Sequence, residues 1–213
     1  MQVLSRSVIF NQSAFVDNQI AFEQQSIYAT INRDDTGEVA YMMSLLDHLE
    51  AFCMQPGQLD EFCVLAYHAE NKTDYDNNFS GVMVDFLTRL KIEDLYLLTA
   101  IRNHWKEYIF ENNEKKKHIL SMLNDQTNGV GFRVKVKDLP EILPLFFHAH
   151  PEYPHINLMP AAGEIFINLL LCKDGNLHTL FDESMHEQLK SAAGEAGLMM
   201  GSYEICHTIK NNL

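Results

Sequence analysis

The sequence predicts an α+β fold, with a mostly helical N-terminal half followed by a ferredoxin-like C-terminal half of the order βαββαβ. Three observations predict it. Apolar residues recur at helical spacing in several stretches before residue 125. The period then drops from about 3.6 to 2 at the turn-rich junction Asp125-Gln-Thr-Asn-Gly129. Beyond it the elements read strand, helix, strand, strand, helix, strand. The expected domains are 1–127, helical with a partly stranded start, and 130–213, ferredoxin-like. With 213 residues and 46% hydrophobic composition, the chain can bury a core that a disordered sequence could not.

In the first half, Val8-Ile-Phe10 and Ile27-Tyr-Ala-Thr-Ile31 read as short strands. Val39, Met42, Met43, Leu46, Leu49 and Cys53 place a helix over 38–54, with Asp35 and Thr36 as caps and Pro56-Gly57 as its stop. Leu59, Phe62, Cys63 and Ala66 extend the helical reading over 58–70. A polar loop at 71–78 leads into a helix over 79–91, and Leu95, Leu98, Ile101, Trp105 and Ile109 suggest a long one over 93–110. A last helix runs through Ile119, Leu120 and Leu123, with Lys115-Lys-Lys117 on its solvated side.

In the second half, Phe132, Val134 and Val136 alternate with Arg133, Lys135 and Lys137, as in a strand with one wet face. Asp138 caps a helix over 139–149 that Pro144 shortens or kinks, and prolines at 151, 154 and 160 keep the next segment out of the sheet. An apolar strand over 164–172 turns at Asp174-Gly175 into a partner strand over 177–181. Ser184 and Glu187 have capping-box spacing for a helix that Gly197 ends, and Tyr203, Ile205, His207 and Ile209 share one face of a final strand over 202–209.

Composition narrows the function classes. A net charge of −13 repels phosphate backbones and anionic lipid, so the expected partner is a protein, a second copy of this chain included, rather than nucleic acid or membrane. No run approaches the roughly 18 apolar residues of a spanning helix, and the start Met-Gln-Val-Leu-Ser-Arg-Ser lacks the pattern of a secretion signal; the expected location is cytoplasmic. Cys53, Cys63, Cys172 and Cys206 form no Cys-x-x-Cys pair and read as small core residues.

The densest cluster of potential ligands is Phe147-His-Ala-His-Pro-Glu-Tyr-Pro-His155. If it is extended, His148 and His150 project to one side and chelate a divalent metal, with His155 or Glu152 as a third ligand. If it is helical, the first two diverge by about 200° and only complement the negative pole of the helix. His148-Ala-His150-Pro151 resembles the His-Ser/Thr-His-Pro core of JAMM-type zinc metallopeptidases, which implies zinc and hydrolysis; where that family has a serine and an aspartate, this chain has Met159 and Ala162. Asp174-Gly-Asn-Leu-His178 is similar to a segment near the flavin in FAD-linked oxidases of the glycolate and D-lactate type, and is equally what a tight hairpin selects. Asp74, Asp76 and Asn78 have calcium-loop spacing, but Phe79 stands where that loop needs glycine.

A Gly-x-Ser-x-Gly elbow and a phosphate-binding glycine loop are both missing. The expected function is therefore a non-catalytic protein-interaction or regulatory module without an organic cofactor. The alternative is a metal-dependent enzyme of hydrolase type, with His148, His150 and His155 on a divalent metal and Glu152 or Glu164 as general base.

Overall fold

The computed structural model describes residues 1–47, 59–102, 105, 113–123, 129–147, 155–172 and 175–210. They form an α+β structure around one eight-stranded sheet whose neighbours all pair antiparallel. The strands are β1 (Gln2–Ser5), β2 (Glu61–Tyr67), β3 (Asp94–Thr99), β4 (Val130–Lys135), β5 (Ile156–Pro160), β6 (Ile167–Leu171), β7 (Leu177–Phe181) and β8 (Leu198–Gly201). Their order across the sheet is β1-β4-β3-β5-β6-β7-β2-β8.

This order differs from the expected pair of halves. Strands from either side of the 127–130 junction alternate within the sheet: β3 lies between β4 and β5, and β2 between β7 and β8. Neither a helical N-terminal half nor a separate βαββαβ sheet describes it. The physical reason lies in β2 and β3, read from sequence as helices. A central strand covered on both faces is apolar at nearly every position, so Phe62-Cys-Val-Leu-Ala66 and Leu95-Tyr-Leu-Leu98 satisfy a helical spacing as readily as an extended one.

Other differences are local. The expected strand at Val8–Phe10 lies in helix α1 (Arg6–Gln12), and Ile27 lies in α2 (Ala14–Ala29); Ser5 and Ser13 cap these helices by accepting from Val8 N and Val16 N. Helix α3 (Thr36–Leu45) begins at the Asp35 cap, and 48–58 lie outside the described residues. The expected loop at 71–78 belongs to α4 (Lys72–Arg89), started by Asn71 accepting from Asp74 N. Helix α5 (Asn113–Leu123) matches its expectation, while the helix over 139–149 is α6 (Leu139–Ile142) followed by a tighter turn through Pro144 to Phe146. Prolines did not keep 156–160 from the sheet, because Pro160 sits at the strand's last position. Helix α7 (His186–Ala196) ends at Gly197 in the left-handed conformation, as expected. The final segment is helix α8 (Tyr203–Lys210), not a strand.

The two faces of the sheet are covered differently. On one, α4 packs against α6 and α7, burying Phe79, Met83, Phe86 and Leu189 against Leu65, Leu97, Leu158, Leu169 and Phe181. On the other, α1 and α2 cover one end through Ile9, Val16 and Ile20 on Tyr96, Leu98 and Met159, and α8 covers the opposite end over β2. Gly131 lets α1 approach, since a Cβ there would lie 2.8 Å from Ile9 Cδ1.

Candidate metal centre

Strand alternation builds a cluster beneath α8. In β6 and β7, Leu169, Leu171 and Leu177 point into the main core, so Cys172 and His178 point to the opposite face. The hairpin fixes their spacing: Leu171 pairs with Leu177, Cys172 N donates to Asn176 O at 2.9 Å, and Gly175 N donates to Cys172 O at 3.1 Å. Gly175 has φ 81°, and a Cβ there would lie 2.8 Å from the Tyr75 ring, whose hydroxyl donates to Gly175 O at 2.8 Å. Helix α8 then lowers Cys206 onto the same spot, beside Val64 of β2.

One ligand atom each of Cys172, His178 and Cys206 lies within 4.8 Å of the others. His178 Nε2 is 3.4 Å from Cys206 Sγ. Tetrahedral zinc, with bonds of about 2.3 Å to sulfur and about 2.0 Å to nitrogen, holds such a pair about 3.5 Å apart. Asn176 Nδ2 donates to Cys206 Sγ at 3.4 Å, a contact that favours the thiolate a metal needs. Its Oδ1 is buried without a hydrogen-bond partner. Phe62 and Tyr203 stack on each other at 4.6 Å and present edges to His178, shielding the cluster from one side.

Neither Cys172 nor Cys206 is in a disulfide and both are buried, which suits a ligand better than a nucleophile that has to reach a substrate. Burial pushes the Cys63 thiol up to about 12, so this core cysteine stays protonated. Burial also holds the Tyr75 hydroxyl well above its usual range, with the nearby Cys172 and Asp76 adding to the effect.

Of the residues expected to form a site, His155 is exposed at the entry to β5, with its ring 6.1 Å from that of His178. Glu164 is exposed in the turn before β6. His148, His150 and Glu152 lie outside the described residues, as does Cys53. Cys172 and Cys206, read as plain core residues, are brought together across 34 positions of sequence by α8. The hairpin register could have paired Cys172 with His178 on one face, but nothing local announced Cys206.

Elsewhere, Arg133 of the expected basic face donates to Asp94 at 2.9 Å. Lys135 and Lys137 line a groove of about 600 Å³ with Lys91, where Glu93 and Asp94 offset their charge. No described helix is long and apolar enough to cross a membrane. Comparison with protein-family models, with curated proteins and with solved structures finds no match to this chain.

Proposed function

We propose that this chain is a transition-metal-binding protein that takes a zinc-class ion on Cys172, His178 and Cys206. The observation that carries the reading is the convergence of two buried thiols and a half-buried imidazole within 4.8 Å. Two sulfurs and a nitrogen select zinc or another borderline-to-soft ion over calcium or magnesium, which prefer oxygen. The cytoplasmic location expected from the sequence fits, because reducing conditions keep such thiols available as ligands. Elemental analysis of the chain purified under reducing conditions tests it. Stoichiometric zinc in the wild type and none in the Cys172→Ser/Cys206→Ser double variant is the expected result; equal traces in both would overturn it.

A second reading, the protein-interaction module, is supported by the edge strand β8. Among the described residues it pairs only with β2, and Met199 (41% exposed) and Tyr203 (55% exposed) lie at this edge. A sheet edge on a chain of net charge −13 suits an extended basic segment, and the same edge could pair with a second copy of this chain. Anisotropy titration with a lysine-rich strand-forming peptide tests the first: a Met199→Lys/Tyr203→Lys variant should bind more weakly than the wild type, and equal binding would count against the reading. Sedimentation tests the second copy.

A further inference from the structure

We infer that His155 is the fourth ligand of the Cys172–His178–Cys206 site, closing it into a four-coordinate Cys2His2 centre that pins α8 and the entry of β5 to the β6–β7 hairpin. The inference rests on the metal-binding reading and decides what kind of site it is.

The register places His155 there. Ile156 pairs with Leu171, so one residue earlier His155 falls opposite Cys172. Ile156 and Leu158 point into the main core, so His155 points to the face that carries Cys172, His178 and Cys206. Two imidazoles bound to one tetrahedral ion through bonds of about 2 Å have their centroids about 5 Å apart. The His155 and His178 rings stand 6.1 Å apart, so a movement of about 1 Å by an exposed side chain at a strand's first residue completes the set.

The consequence is chemical. Three protein ligands would leave a coordination position for a water and permit hydrolysis; four leave none. A closed site makes the ion a structural clamp, and its loss would release α8 from the face of β2 that carries Phe62 and Val64.

Cobalt(II) titration of the full chain under reducing conditions tests this, since four-coordinate cobalt gives intense visible bands and bound thiolates add charge-transfer absorption. The wild type should show both. His155→Ala should shift the visible bands, as a water takes the vacated position, and its cobalt affinity should fall by more than about 100-fold, beyond the 10–100-fold typical of a residue that only supports a ligand. His155→Cys should restore a fourth protein ligand with added thiolate absorption, and His118→Ala, at an exposed position on α5, should match the wild type. Wild-type bands and affinity in His155→Ala would overturn the fourth ligand and leave the metal-binding reading standing. Absence of thiolate charge transfer in the wild type would overturn both.

Discussion

The face of the sheet that carries α1, α2 and α8 holds two buried polar clusters, one at each end, and they are built on opposite principles. Under α1 and α2 the charges are matched within the chain. Arg6, 2% exposed, donates to Asp47 Oδ2 at 2.8 Å and to the carbonyls of Thr99 and Ala100 at 2.7 and 3.2 Å. Gln24 and Arg102 also donate to Asp47. These cationic and amide partners hold the Asp47 carboxyl below its usual range against the opposing effect of burial. Beside it, Glu23 accepts from Gln19, Asn157 and Asn168, and burial pushes its carboxyl up. Under α8, by contrast, Cys172, His178 and Cys206 bring two sulfurs and an imidazole nitrogen within 4.8 Å of one another. A cluster that carries its own counter-charge is a clamp complete in itself; one built of converging donors, in the proposed reading, would be completed by a cation.

The largest expected effect would break the first cluster. Arg6→Met leaves Asp47 with Arg102 as its remaining cation and strips the Arg6 donors from the Thr99 and Ala100 carbonyls, and denaturant unfolding should show a loss of about 3 kcal/mol. A loss under about 1 kcal/mol would place Asp47 in the class of exposed pairs.

Next comes the response of the second cluster to the ion proposed for it. With free zinc held 100-fold above its dissociation constant, the wild type should gain about 2.7 kcal/mol by mass action, and Cys172→Ser should gain none. Without metal, the two proteins should melt alike. Zinc-independent melting of the wild type would erase the contrast between the clusters.

Glu23 sharpens the comparison through pH. Its carboxyl titrates higher in the folded chain than in the unfolded one, so the folded state holds the extra proton in between. The stability it contributes is therefore fully present below the unfolded pKa and is lost as pH rises through the folded one. Glu23→Gln should flatten this decline, since the amide does not titrate, at the cost of one of the acceptors that Gln19, Asn157 and Asn168 use. A steeper decline in the variant would reverse the assignment.

The smallest effect belongs to Cys63. Its thiol, pushed up to about 12, keeps its proton, so Cys63→Ala should leave the zinc-induced melting shift unchanged. A reduced shift would mean that the third described cysteine takes part.

Legibility followed the range of the signal. The β6–β7 hairpin that turns through Gly175, the helix stopped by Gly197 and the alternating strand at Phe132 are encoded by neighbours in sequence, and all three are present in the structure. The last segment shows where local coding fails. Over eight residues, Tyr203, Ile205, His207 and Ile209 fit a period of two, yet Ser202 O accepts from Ile205 N and starts a helix. At the site, Cys172 and His178 were within reach of the hairpin register, whereas Cys206 was hidden by the misread helix that carries it.

The sequence by itself determined that this chain has a large mixed core and where the β6–β7 hairpin and the end of α7 fall, because composition, caps and turn chemistry act over a few neighbouring positions. Only the tertiary structure decided that Phe62–Ala66 and Leu95–Leu98 are strands, and that Cys172, His178 and Cys206 meet. Both depend on which surfaces cover a segment from above and below. An apolar run covered on two faces carries no period to read, and a site assembled from a hairpin and a distant helix exists only once the sheet that separates them in sequence has closed.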